Sequence, residues 1–220
     1  MAPRMHFDEQ LKQLNQELSK MGVLIERSLK GAAFALAKND RRKARWVIEF
    51  DEQVNRKERD IESLCLRLLL QQQPVARDLR TISAALKMIS DMERIGDQAA
   101  DICEIVLMTN RPLDDGLAGH LPQLAEVTTE LTSGAISAFI QRDLELARKV
   151  IAGDDEADRL FVIVRAEMTA LIRSHEEVSE LAVDRLMIAK YFERIGDHAQ
   201  NVAEWVEYSL TGYYKGEILG

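Results

Sequence analysis

The chain has 220 residues, a formal net charge of −8, 46% hydrophobic and 30% charged residues, 5% aromatics and four prolines. That composition is that of a soluble, helix-rich protein long enough to bury a core, and it excludes a disordered or fibrous chain. The acidic balance disfavours nonspecific nucleic-acid binding and suits cations or basic partner surfaces.

Apolar residues at Phe7, Leu11, Leu14, Leu18, Met21, Ile25, Leu29, Ala32 and Leu36 advance in steps of three and four, so a long first helix is expected up to about Asp40. Asp40 is placed to cap a second helix over residues 41–70, carrying Val47, Ile48, Val54, Ile61, Leu64, Leu68 and Leu69. Its run LCLRLLL (Leu64–Leu70) contains Arg67 and is too short to span a bilayer. Pro74 suits the first position of a third helix that continues to Met108. TNRPLDDGLAGHLP (Thr109–Pro122) then reads as a linker between a first unit, 1–108, and a second, 123–214. The N-terminus shows no apolar signal region, and Cys65 and Cys103 stand 38 residues apart with no CxxC spacing. Both read as buried thiols in a reducing compartment, and a cytoplasmic protein is expected.

Beyond the linker the plan repeats. Residues 37–55 align with 140–158 at an offset of 103, and 86–106 align with 186–206 at an offset of 100. The difference falls in the turn before the third helix of each unit, where length changes are tolerated. The expectation is therefore an all-α fold made by tandem duplication of two three-helix bundles, six long helices in all.

The duplicated third helices share the pentapeptide ERIGD, at Glu93–Asp97 and Glu193–Asp197. On a helical wheel Asp97 and Glu104 lie about 40° and about 20° from Glu93, and Asp101 about 80°. Met92, Ile95, Ala99, Ile102 and Val106 lie almost opposite. A carboxylate stripe facing away from the core is expected, matched in the second unit by Glu193, Asp197, Asn201 and Glu204. The second helices add Asp51 and Asn55 in one unit, and Asp154, Asp155 and Asp158 in the other. Carboxylates four apart repel, and no lysine at i+4 relieves the stripe, so either a solvated acidic face or a site for Mg²⁺, Mn²⁺, Ca²⁺ or iron accounts for it. Gly96 and Gly196 sit inside these helices at a cost of about 1 kcal/mol each against alanine, which close approach of a neighbouring helix would explain. The basic run RRKAR (Arg41–Arg45) reads as a partner or acidic-membrane contact or as a solvated helix start.

Three features together resemble the PhoU family, accessory proteins of bacterial high-affinity phosphate uptake. They are QQQPVARDLRTI (Gln71–Ile82), the pair DMERIGDQAADI and YFERIGDHAQNV, which match the family's E(D)xxxD motif, and the two-fold repeat across residues 7–214. The resemblance implies two three-helix bundles, a homodimer and multinuclear surface metal clusters, with iron, zinc or manganese as candidate ions. Its motif positions here are Glu93, Asp97 and Asp101, and Glu193 and Asp197, with Asn201 where the first unit has Asp101. Asp51, Asp154, Asp155 and Asp158 are the secondary metal candidates; Arg77 and Arg80 are partner anchors or internal salt-bridge residues. The implied role is a cytoplasmic adaptor, peripheral to the membrane, that damps phosphate uptake and the phosphate-starvation response. It would do so by binding the transporter's ATPase subunit and the phosphate-sensing histidine kinase, with no nucleic-acid partner. An enzyme is not expected, because Glu-x-x-His, HExxH, GK[ST] and GxSxG are all absent from the sequence. A helical metal-binding or storage protein without a signalling role is the alternative, and a scaffold whose stripes bind basic helices is a third reading.

Overall fold

The structure is a computed structural model that describes residues 3–71, 75–109 and 117–218. Six helices follow in order: α1 (Pro3–Lys38), α2 (Arg41–Gln71), α3 (Ala76–Met108), α4 (Leu121–Gln141), α5 (Leu144–Ser174) and α6 (Ser179–Thr211). A turn of 3₁₀ helix, Glu176–Val178, leads into α6. The all-α duplicated fold expected from periodicity is what the chain adopts.

The first turn of each unit is built the same way. Asn39 and Arg142 take left-handed backbone conformations, φ 48° and 54°, and each is followed by an aspartate. The Asp40 carboxylate accepts from the backbone N–H of Arg42 and of Lys43, each at 3.0 Å, and Asp143 accepts from Leu146 N at 3.0 Å. Both aspartates therefore satisfy amides that the start of a helix leaves open. Arg41 reaches back to the far end of α3, donating to the carbonyl of Leu107 at 2.6 Å and closing an otherwise open C-terminus. Pro74 and residues 110–116 of the expected linker lie outside the described residues. Pro122 is corrected: it sits in the first turn of α4, where its missing N–H costs nothing.

Within each unit the helices pack on one another, and α3 and α6 also pack together, as do α1 and α4. One hydrophobic cluster runs through both units, from Leu14, Leu18 and Ile25 of α1 to Ile188, Phe192 and Ile195 of α6. The apolar faces anticipated on the third helices, Met92 to Val106 and Phe192 to Val206, are buried. Cys65 and Cys103 are free and fully buried, and burial pushes both thiols up to about 12, so they behave as small hydrophobes.

Beyond α6 the chain forms a two-stranded hairpin that the helical periodicity did not signal. Strands β1 (Tyr213–Tyr214) and β2 (Glu217–Ile218) pair antiparallel, Tyr213 with Ile218. Lys215 and Gly216 both have positive φ, 50° and 81°, which suits a two-residue turn between right-twisted strands. Tyr214 stacks on Trp205 at 4.1 Å between ring centroids, and Lys215 pairs with the buried Glu204 at 3.2 Å, holding the hairpin to α6.

Candidate metal centre

Gly96 and Gly196 mark where the second helix of each unit passes closest to the third. A Cβ at Gly96 would lie 2.9 Å from Asp51 Oδ1 and 3.1 Å from Val54; one at Gly196 would lie 2.9 Å from Asp154 Oδ1. The expected reason for these glycines is met, and it is specific: each leaves room for a carboxylate from the neighbouring helix. The stripe is therefore corrected in one respect. It does not face open solvent but borders a groove between two helices, because α2 and α5 lie alongside it and bring Asp51 and Asp154 into it.

In the α2–α3 groove Asp51 meets Glu93 and Asp97. Burial, then the Asp97 carboxylate, raises Asp51 to about 6, against an opposing hydrogen bond from Asn55 Nδ2 to Asp51 Oδ2 at 2.8 Å. Glu93 is also raised, by burial first and then by Asp97, with Glu58 of α2 contributing. In the α5–α6 groove Asp154 is 6% exposed. Burial, followed by Asp197, Asp158, Glu193 and Asp155 in that order, raises it to about 7. Asp197 is raised by burial and by Glu193. Oδ1 of both Asp51 and Asp154 is buried with no hydrogen-bond partner. Asp155 and Asp158 are exposed at the rim.

Relief of the repulsion comes at three-residue spacing instead of four. Arg94 lies 3.3 Å from Asp97 and 3.6 Å from Glu93, and Lys190 donates to Glu193 at 2.6 Å. Among the described residues no three such side chains already surround one point at ligating distance; the carboxylates are strung along two helices.

Asp101 and Asn201 are not brought into these grooves in the same way. Both lie on the seam where α3 and α6 run antiparallel. Asn201 donates to Asp91 Oδ1 at 3.1 Å, and His198 Nδ1 lies 2.9 Å from the same oxygen. Asp101 lies near Arg194, whose charge opposes the upward shift set by burial, Glu104 and Asp97. Asp91 and the role of His198 were not legible from the sequence, since only packing of α6 on α3 joins positions 107 residues apart.

The PhoU domain matches residues 18–106 and again 121–206. The chain belongs to the PhoU family. A Thermotoga maritima relative described as phosphate-specific transport system accessory protein PhoU homolog 1 is 31% identical over 100% of this chain and 95% of its own. The Escherichia coli accessory protein PhoU is 31% identical over 94% of this chain and 86% of its own. Among solved structures, PhoU from Pseudomonas aeruginosa superposes with a TM-score of 0.87 at 30% identity, covering 94% of this chain and 100% of that one. The PhoU regulatory protein of Streptococcus pneumoniae gives 0.85 at 27% identity, covering 97% and 99%.

The PhoU resemblance also singled out two arginines. Arg77 is exposed on the first turns of α3. Arg80 is half-buried beneath the hairpin, where a Cβ at Gly212 would lie 2.8 Å from its Nη1. That contact makes Arg80 part of the hairpin's seat. In the basic run, Lys43 Nζ stands 3.8 Å from the Trp46 ring centroid, while Arg42 and Arg45 are exposed.

The raised carboxyls set a pH dependence. A group holding its proton more tightly folded than unfolded makes stability fall as pH rises from its unfolded to its folded value. For Asp51 and Asp154 that window runs from the model value of 3.8 to about 6 and about 7. Chelator-treated protein should therefore melt at progressively lower temperature between about pH 4.5 and about pH 7.5. In thermal melts followed by circular dichroism, Asp51→Asn/Asp154→Asn should flatten that slope.

Proposed function

We propose that this chain is a regulatory accessory protein of a phosphate-specific transport system, an adaptor that damps phosphate uptake and the phosphate-starvation response when phosphate is plentiful. The observation that carries the reading is end-to-end likeness to accessory proteins of that system, both repeats included. As an adaptor it binds the transporter's ATPase subunit and the phosphate-sensing histidine kinase as a cytoplasmic homodimer peripheral to the membrane. No helix among the described residues is long and apolar enough to cross a bilayer, in keeping with a peripheral role.

Metal ions belong to the same proposal. A buried carboxylate oxygen without a donor is a costly feature, and each unit has one, in Asp51 and Asp154. A hard or borderline cation offers such oxygens what they lack. Glu93, Asp97 and Asp51 would hold ions in the first groove, and Glu193, Asp197, Asp154 and Asp158 in the second, with Asp155 at the rim. Bound iron, zinc or manganese would supply positive charge to an otherwise acidic surface.

The test is genetic. Deleting the gene in its own host should leave a phosphate-starvation reporter switched on in phosphate-rich medium, and re-expressing the chain should switch it off. A reporter that ignores deletion would sink the adaptor role and leave a metal-binding protein without a signalling function.

A further inference from the structure

The two grooves come from one duplicated sequence, yet their surroundings differ. In the first, Asn55 donates to Asp51 at 2.8 Å, and the guanidinium of Arg94 stands over both Glu93 and Asp97. That groove carries an amide donor and its own cation. In the second, the residue matching Asn55 is Asp158, which repels Asp154. The residue matching Arg94 is Arg194, and it forms no ion pair with Glu193 or Asp197. Arg194 is exposed and lies in the field of Asp101, across the seam on α3. Lys190 still touches Glu193, but from the edge of the groove. Asp154, 6% exposed with an unpartnered Oδ1, faces the second set alone.

One difference between the repeats accounts for the two arginines. The seam pairs the N-terminal part of each third helix with the C-terminal part of the other. Asp101 therefore stands opposite Arg194, while the position opposite Arg94 is occupied by Asn201, which is neutral and bonded to Asp91. Arg194 has a carboxylate to draw it out of its own groove. Arg94 has none, and closes on its own.

Resting on the metal-binding reading above, we infer that the grooves are unequal cation sites, the α5–α6 groove the tighter. We further assign Asp101 as the positioning residue that keeps Arg194 out of that groove. Asp101 then acts through Arg194, without itself ligating the ion.

Calorimetric titration of metal-free protein with Mn²⁺ tests this, with circular dichroism confirming that each variant stays helical. Wild type should show two affinity classes, the tighter lost in Glu193→Gln/Asp197→Asn and kept in Glu93→Gln/Asp97→Asn. Asp101→Asn should weaken the tight class about three- to tenfold, as expected for freeing one part-exposed cation beside the site. Asp101→Asn/Arg194→Gln should recover wild-type affinity, because the intruding cation is gone. Equal weakening with and without Arg194 would make Asp101 a ligand and overturn the assignment, as would a tighter first groove. If no variant, nor wild type, takes up Mn²⁺, the metal reading itself fails and this inference with it.

Discussion

Replacing Asp154, Glu193 and Asp197 together by their amides should abolish high-affinity cation uptake by the α5–α6 groove, lowering affinity at least about 100-fold, while helical content is retained. The reasoning is electrostatic. Asp154 is buried, its Oδ1 lacks a donor, and Asp197, Asp158 and Glu193 all push its pKa upward. Such an arrangement is unfavourable in metal-free protein and becomes favourable when positive charge enters. The amides preserve shape and remove the charge, so metal-free variant protein should also be more stable than wild type near neutral pH, on the order of 1–2 kcal/mol. Metal content of protein purified without chelator or affinity tag, beside a melting curve in chelator, reads both effects. Unchanged metal content in the triple variant would remove the groove from consideration as a site. A lowered melting temperature in chelator would show that the carboxylates serve the fold by some contact other than mutual repulsion.

The largest stability effect should come one residue away, at Phe192. Its side chain is fully buried on α6, a helix that packs against α3, α4 and α5. Phe192→Ala removes a large apolar group and leaves a cavity that three packed helices cannot easily close, costing about 3–5 kcal/mol. For a chain of this size that lowers the melting temperature by about 6–20 °C. Phe34 is 50% exposed, and Phe34→Ala should change stability by less than about 0.5 kcal/mol. Chemical denaturation of the two variants side by side gives the comparison. Similar losses for both would mean that Phe34 is covered in solution, and a small loss at Phe192 would mean that the core repacks.

Helix limits were well marked in the sequence because they rest on local chemistry. Asp40 and Asp143 cap the helices that follow them, and the stepwise apolar residues of α1 became its buried face. Pro122 was misplaced because proline marks both a linker and the first turn of a helix, and sequence context alone does not separate the two. The terminal hairpin was missed because two-residue strands carry no measurable alternation.

The sequence by itself determined the class of fold, the duplication and the residues of each carboxylate stripe, since all three follow from spacing along one helix or between copies. It also made Gly96 and Gly196 conspicuous, because glycine inside a helix calls for a neighbour. Only the tertiary structure decided that the neighbour is the carboxylate of Asp51 or Asp154, and that the stripe borders a groove. It alone revealed that Asp91 gathers His198 and Asn201, and that Arg94 and Arg194, identical in motif, stand in different company. Those relations join residues about a hundred positions apart through the packing of α3 on α6. A helical wheel sees one helix at a time, so it assigns every face that lacks apolar residues to solvent. Here part of that face belongs to another helix.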